Sequence, residues 1–191
     1  GLCARRLHRG ALRAVQGNSA GAASGRSEVD GQLLERCANS RVAQCNWLVP
    51  WTGMAALCES CRLTRTRPSD NDAEFLPAFG TAETAKRRVV LELTELGLPI
   101  TGRDEDPSGG LAFDLLSSKW ESVVTGHADG VITLDLAEGD DVHREQMRVE
   151  LAEPYRTVLG HFRHEIGHYY QTVLINPENR AAFEDLFGNP D

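Results

Sequence analysis

The chain has 191 residues, 41% hydrophobic and 25% charged, an ordinary globular composition that allows one domain, or a small module joined to a larger one, with a sizeable core. No run of about 18 apolar residues exists, which excludes a membrane-spanning helix, and no ordered signal-peptide pattern opens the sequence, so the expected compartment is the cytosol. The net charge of -8 divides into +6 over residues 1–67 and -14 over 68–191; this implies two modules, and the acidic remainder argues against the whole chain lying on a phosphate backbone.

Residues 1–30 are rich in Arg, Ala, Gly and Ser, show no sustained period, and predict a disordered segment. Residues 31–68 follow as a cysteine module. Cys37, Cys45, Cys58 and Cys61 lie within 25 residues, while the last 130 residues hold no cysteine. Clustering of this kind in a cytosolic chain points to metal before disulfides. Cys58-Glu59-Ser60-Cys61 is a C-x₂-C knuckle that lets two thiolates hold one ion, and Cys37 with Cys45 can complete a tetrahedral set. The first pair is spaced more widely than a standard knuckle, which leaves open the reading of four reduced structural cysteines. A redox role for the C-x-x-C lacks a thioredoxin-like βαβ setting. Trp47 and Trp51 with Arg62, Arg65 and Arg67 can form a face for nucleic acid or a protein, or simply pack a small metal core.

Pro68–Asp72 reads as the linker leaving this module, and 69–191 as a second domain. Val89, Val90, Leu93 and Leu96 at helical spacing, with Gly97 and Pro99 as a stop, predict a helix over 81–96. Asp129-Gly130 followed by alternating Ile132, Leu134 and Leu136 predicts a turn and a half-buried strand. Asp140 or Asp141 can cap a helix running to about Ala152. Pro154 suits the first turn of another that extends to about Ile175 and is stopped by Asn176-Pro177.

That last helix carries His164-Glu165-Ile166-Gly167-His168. At 100° per residue Tyr155, Val158, Leu159, Phe162, Ile166, Tyr169, Tyr170 and Val173 gather on a buried face, and His161, His164 and His168 lie opposite. Two histidines one turn apart can direct their nitrogens at one zinc ion, with Glu165 beside the metal without ligating it. His161 is a second partner, an extra ligand or a plain surface residue. Tyr169 and Tyr170 are assigned to packing. A catalytic zinc site needs a third ligand. Gln171 and Leu174 stand where an extended HExxHxxGxxH pattern would need Gly and His, and Glu178, Glu184 and Asp185 are the remaining acids before the chain stops. An active site truncated before its third ligand is therefore expected.

The wording of longer stretches adds a resemblance. Cys45-Asn46-Trp47-Leu48-Val49, Leu57-Cys58-Glu59-Ser60-Cys61-Arg62-Leu63-Thr64, Ala85-Lys86-Arg87-Arg88, Thr125–Leu134 and Glu153–Tyr170 closely resemble, in order over about residues 36–188, a bacterial zinc-binding metallopeptidase family that joins an N-terminal zinc ribbon to a zincin-like domain. The resemblance implies an α+β fold: a small ribbon, then a mainly helical domain with a short sheet. It also implies a structural zinc on Cys37, Cys45, Cys58 and Cys61, a catalytic zinc on His164 and His168, Glu165 as general base, and a peptide or protein substrate rather than nucleic acid. Members usually begin with further C-x-x-C knuckles, where this chain has only Cys3, and continue to a glutamate-containing helix beyond Phe187-Gly188. By analogy with zincins, Val131–Leu136 is a candidate edge strand for pairing with an extended peptide. The rival is a non-catalytic zinc module that binds nucleic acid or a protein partner.

Overall fold

The computed structural model describes residues 32–119, 122–139 and 157–188, together with the backbone of three earlier strands. Those strands are β1 (Cys3–His8), β2 (Ala11–Gln16) and β3 (Arg26–Val29). β1 and β2 pair antiparallel, and β3 pairs with β4 (Gln32–Arg36), which pairs with β5 (Leu48–Pro50). Backbone pairing therefore occurs inside the stretch whose composition predicts disorder. Strands this short leave no sustained apolar period to read.

The cysteine loops are tied by main-chain bonds from Cys37 N to Trp47 O (3.0 Å) and Ala38 N to Ala56 O (2.8 Å). A single turn, α1 (Glu59–Arg62), is capped by the sulfur of Cys58 and leads directly into β6 (Thr64–Thr66). β6 belongs to the second domain's four-stranded sheet, in the order β6-β7-β9-β8, with β7 at Ala112–Leu116, β8 at Gly126–Ala128 and β9 at Val131–Asp135. β6, β7 and β9 run parallel, and β8 is antiparallel to β9. The boundary drawn at residue 68 thus falls after a strand that already hydrogen-bonds across it.

α2 (Leu76–Glu95) connects β6 to β7. It starts earlier than the predicted 81–96, because Asp72 Oδ1 accepts from Phe75 N at 3.1 Å ahead of a first turn that tolerates Pro77. It ends as expected, with Gly97 at φ 69° and Leu98 N donating to Leu93 O. The expected helix from 140 to 152 and the Pro154 start of the next lie outside the described residues. α3 (Val158–Leu174) is capped by Thr157, whose Oγ1 accepts from Gly160 N at 3.0 Å. Asn179 Nδ2 then closes the Leu174 carbonyl at 2.8 Å and leads into α4 (Arg180–Phe187).

One core runs through all of this. It extends from Cys37, Cys45 and Trp47 through Phe79, Val89, Val90 and Leu93 of α2 to Phe113, Leu115, Ile132 and Leu134 of the sheet. Phe162, Ile166, Tyr169 and Tyr170 of α3 complete it. The helical wheel places these four correctly, whereas Val173 is 44% exposed. Phe162 meets Phe113 edge to face at 5.5 Å, and Tyr170 OH donates to Pro99 O at 2.7 Å, so Tyr170 is a packing residue as assigned. Two modules that differ in charge are one body in the interior.

Candidate metal centres

The four cysteines are all buried, and their sulfurs lie within 4.8 Å of one another. Cys45 and Cys58 Sγ are 3.7 Å apart, close to the edge of about 3.8 Å of a tetrahedron with zinc–sulfur bonds of about 2.3 Å. Main-chain N–H groups point at the sulfurs: Cys58 N donates to Cys37 Sγ (3.3 Å) and Cys61 N to Cys58 Sγ (3.4 Å). Hydrogen bonds from Cys45, Cys58 and Cys61 pull the Cys37 thiol far below its ordinary value, and the same crowding with Cys37, Cys45 and Cys58 pushes Cys61 far above. Four such thiols shed their protons together only around a cation, so the donor set fits zinc.

The second centre lies on α3. His164 and His168 are exposed and Glu165 is half-buried between the core and their face. The two Nε2 atoms stand 3.2 Å apart with the rings at 85°. Bonds of about 2.0–2.1 Å to one tetrahedral zinc place two nitrogens about 3.4 Å apart, so this pair also fits the ion. His168 and Glu165 line an open cleft of about 660 Å³ with Thr125, His127, Gln171 and Arg180. Glu178, Glu184 and Asp185 do not line it; Glu184 is engaged by Arg180 at 2.8 Å. Among the described residues the cysteine cluster is the one group of three or more side chains placed to hold a metal ion, and no third ligand is gathered with the histidine pair.

The cleft corrects one expectation. β9 is interior, flanked by β7 and β8, and the edge strands are β6 and β8, of which β8 lies beside the cleft. The alternation of Ile132 and Leu134 is that of a strand buried between neighbours, and the turn at Asp129-Gly130 folds β8 outward beside α3. His127, on β8, was not singled out from sequence. Its signal was modest: one of six histidines, two residues before the turn. Its Nε2 accepts from Gly130 N at 3.2 Å, which puts the proton of the neutral ring on Nδ1. Burial, then the neighbouring His168, hold its pKa below the ordinary value and favour that neutral ring.

Of the side chains that form the candidate aromatic and basic face of the ribbon, Trp51 is exposed and the three arginines are ion-paired but partly solvated. Trp47 is buried, Arg62 pairs with Asp104 and Glu105, Arg65 with Asp114, and Arg67 with Asp70. Among the described residues no helix is long and apolar enough to cross a membrane.

Comparison with known proteins supports zinc binding. A family model described as "Putative zinc-binding metallo-peptidase" matches residues 76–191, and a zinc-ribbon model matches 4–72, reaching back over β1 and β2. An uncharacterized protein of Mycobacterium bovis and two of Mycobacterium tuberculosis are each 62% identical over 160 residues. The match covers 83% of this chain and 47% of each relative, so the chain spans about half the length of the curated relatives it matches. No solved structure matches.

Proposed function

The chain belongs to the zinc-binding metallo-peptidase family, and we propose that it hydrolyses peptide bonds at the cleft between α3 and β8, with His164 and His168 as zinc ligands and Glu165 as general base. The observation that carries this reading is the pair of imidazole nitrogens 3.2 Å apart on one face of α3, with His168 of that pair and Glu165 lining the same cleft. Zinc held there would supply a Lewis acid and a bound water of lowered pKa. Glu165 accepts the proton of the attacking water and returns it to the leaving amine. Glu165 is half-buried and lines the cleft beside His168, next in sequence to His164, which is where a base for that water is needed. An extended substrate pairs with the outer edge of β8, which gives main-chain affinity without sequence preference. His127, with its N–H on Nδ1, offers a neutral donor to a substrate carbonyl in the same cleft.

Glu165→Gln tests the reading. The zinc-loaded chain and the variant are compared on a fluorescently labelled casein, with zinc measured by elemental analysis. The reading expects hydrolysis to fall by about 10²-fold or more with zinc content unchanged. Equal hydrolysis by the two proteins, or no zinc bound through His164 and His168, would overturn it. The rival module predicts salt-sensitive nucleic-acid binding that survives Glu165→Gln.

A further inference from the structure

Three charged side chains that the proposed reaction does not use sit on the inner face of α2. Glu83 and Lys86 are fully buried and Arg87 is 5% exposed. An ion in an apolar interior costs several kcal/mol unless its partners compensate, about as much as folding can spare. The partners therefore say what these charges do: apart from one another, Thr84 on the same helix and the Phe113 ring beneath Lys86, they belong to the cysteine module or the strand that leaves it.

Lys86 Nζ bonds Glu83 Oε1 at 2.6 Å and also Thr64 Oγ1, three residues after Cys61. Thr64 Oγ1 donates to Glu83 Oε1 at 2.5 Å. Glu83 Oε2 lies 3.8 Å from Cys61 Sγ and 3.8 Å from the Arg87 guanidinium. Arg87 forks onto the carbonyls of Ala43 (3.0 Å) and Gln44 (3.2 Å), the two residues before Cys45. Gln44 holds φ at 49°, and its side chain packs so tightly on Gly80 that a Cβ there would meet its Nε2 at 2.6 Å.

The charges sum in one direction. Four thiolates around one divalent cation carry a net charge of about -2, and beside them the network sets two cations against one carboxylate. Glu83 against the Cys61 sulfur would repel a thiolate on its own; Lys86 makes the approach tolerable. We infer that Lys86 and Arg87, held in place by Glu83, form the outer shell of the cysteine zinc site, balancing its charge and bracing its loops, so that zinc in the ribbon governs the seating of α2 and, through α2, of the HExxH helix. The second link is visible: α2 packs on α3 through the shared core, and Arg163, beside His164, makes two bonds to Glu92 at 2.7 and 3.1 Å. The inference needs only the ribbon metal and stands apart from peptidase activity.

The test uses the full chain carrying His164→Ala and His168→Ala, so that only ribbon zinc is counted. Competition with a colorimetric zinc chelator gives the zinc affinity of this protein and of the same protein with Lys86→Met added. Loss of an outer-shell partner is expected to weaken binding about 10–100-fold. Affinity unchanged by Lys86→Met overturns the charge-balancing role, since a lysine of merely structural importance would lower the stability of loaded and stripped chains alike and leave zinc affinity alone. Arg87→Lys, which keeps the charge and loses the fork onto Ala43 and Gln44, is expected to weaken zinc by less, and it decides the matter if Lys86→Met does not fold. Hydrogen exchange then compares the zinc-loaded and stripped protein without further substitution. Faster exchange in both 76–95 and 158–174 on stripping supports the coupling, and unchanged protection over 158–174 overturns it.

Discussion

Replacing Gly130 by alanine tests how the β8–β9 hairpin is held against the rest of the sheet. Asp129 and Gly130 have φ of 48° and 80°, both left-handed, as a two-residue hairpin turn requires. A Cβ on Gly130 would lie 2.4 Å from Gly109 O and 2.6 Å from Gly110 O, and main-chain oxygens cannot rotate away as a side chain can. The Gly130 carbonyl also accepts from Ala112 N at 2.9 Å, so moving the turn breaks a sheet bond. Left-handed backbone costs a residue with a Cβ about 1–2 kcal/mol, and forcing in the extra methyl adds about 1–3 kcal/mol. Gly97→Ala is the control, because Gly97 has φ of 69° with nothing within 4 Å of the new Cβ, and only the backbone cost of about 1–2 kcal/mol should appear. Urea unfolding of both variants in the zinc-loaded state isolates the steric part as the difference. If Gly130→Ala is no more destabilised than Gly97→Ala, the packing of the 109–110 loop on the turn is not what fixes the hairpin, and the placement of His127 loses its support.

Other outcomes follow from the same geometry. Phe162→Ala removes a fully buried ring packed edge to face on Phe113 and should cost about 3–5 kcal/mol in urea unfolding; a loss under about 1 kcal/mol would mean that α3 is not seated on this core. Arg163→Ala should cost little in urea unfolding, since both partners of the Glu92 pair are partly solvated. Arg163 holds the Glu92 carboxyl below its ordinary 4.5, so the pair's contribution is complete above that pH and disappears as the pH falls through the lowered folded value; a wild-type minus variant difference that grows toward acid would contradict this. Elemental analysis should find two zinc ions per chain, one lost with Cys58→Ser/Cys61→Ser and the other with His164→Ala/His168→Ala. Zinc that depends on the cysteines alone would leave the proposed peptidase without its metal.

Local pattern was enough for a good part of this protein. Periodicity identified the apolar face of α3 and set His164 and His168 on the opposite side; the knuckle Cys58–Cys61 named half of a metal site; Gly97 and Asp129-Gly130 marked a helix end and a hairpin. Each signal lives within a few residues, where spacing alone dictates direction. Other decisions belonged to distance along the chain. Whether β9 or β8 lies at the edge depends on which strands pair, and Gly126–Ala128 is too short to announce itself. That Arg62 and Arg65 pair with Asp104 and Asp114, 42 and 49 positions away, is likewise beyond local spacing. The burial of Glu83, Lys86 and Arg87 could not be read from the sequence, which shows their charge and hides their surroundings. The sequence by itself determined which side chains could hold metal; only the tertiary structure decided that the ribbon and the HExxH helix share one core, since that depends on contacts between residues tens of positions apart, whose pairing no local spacing encodes.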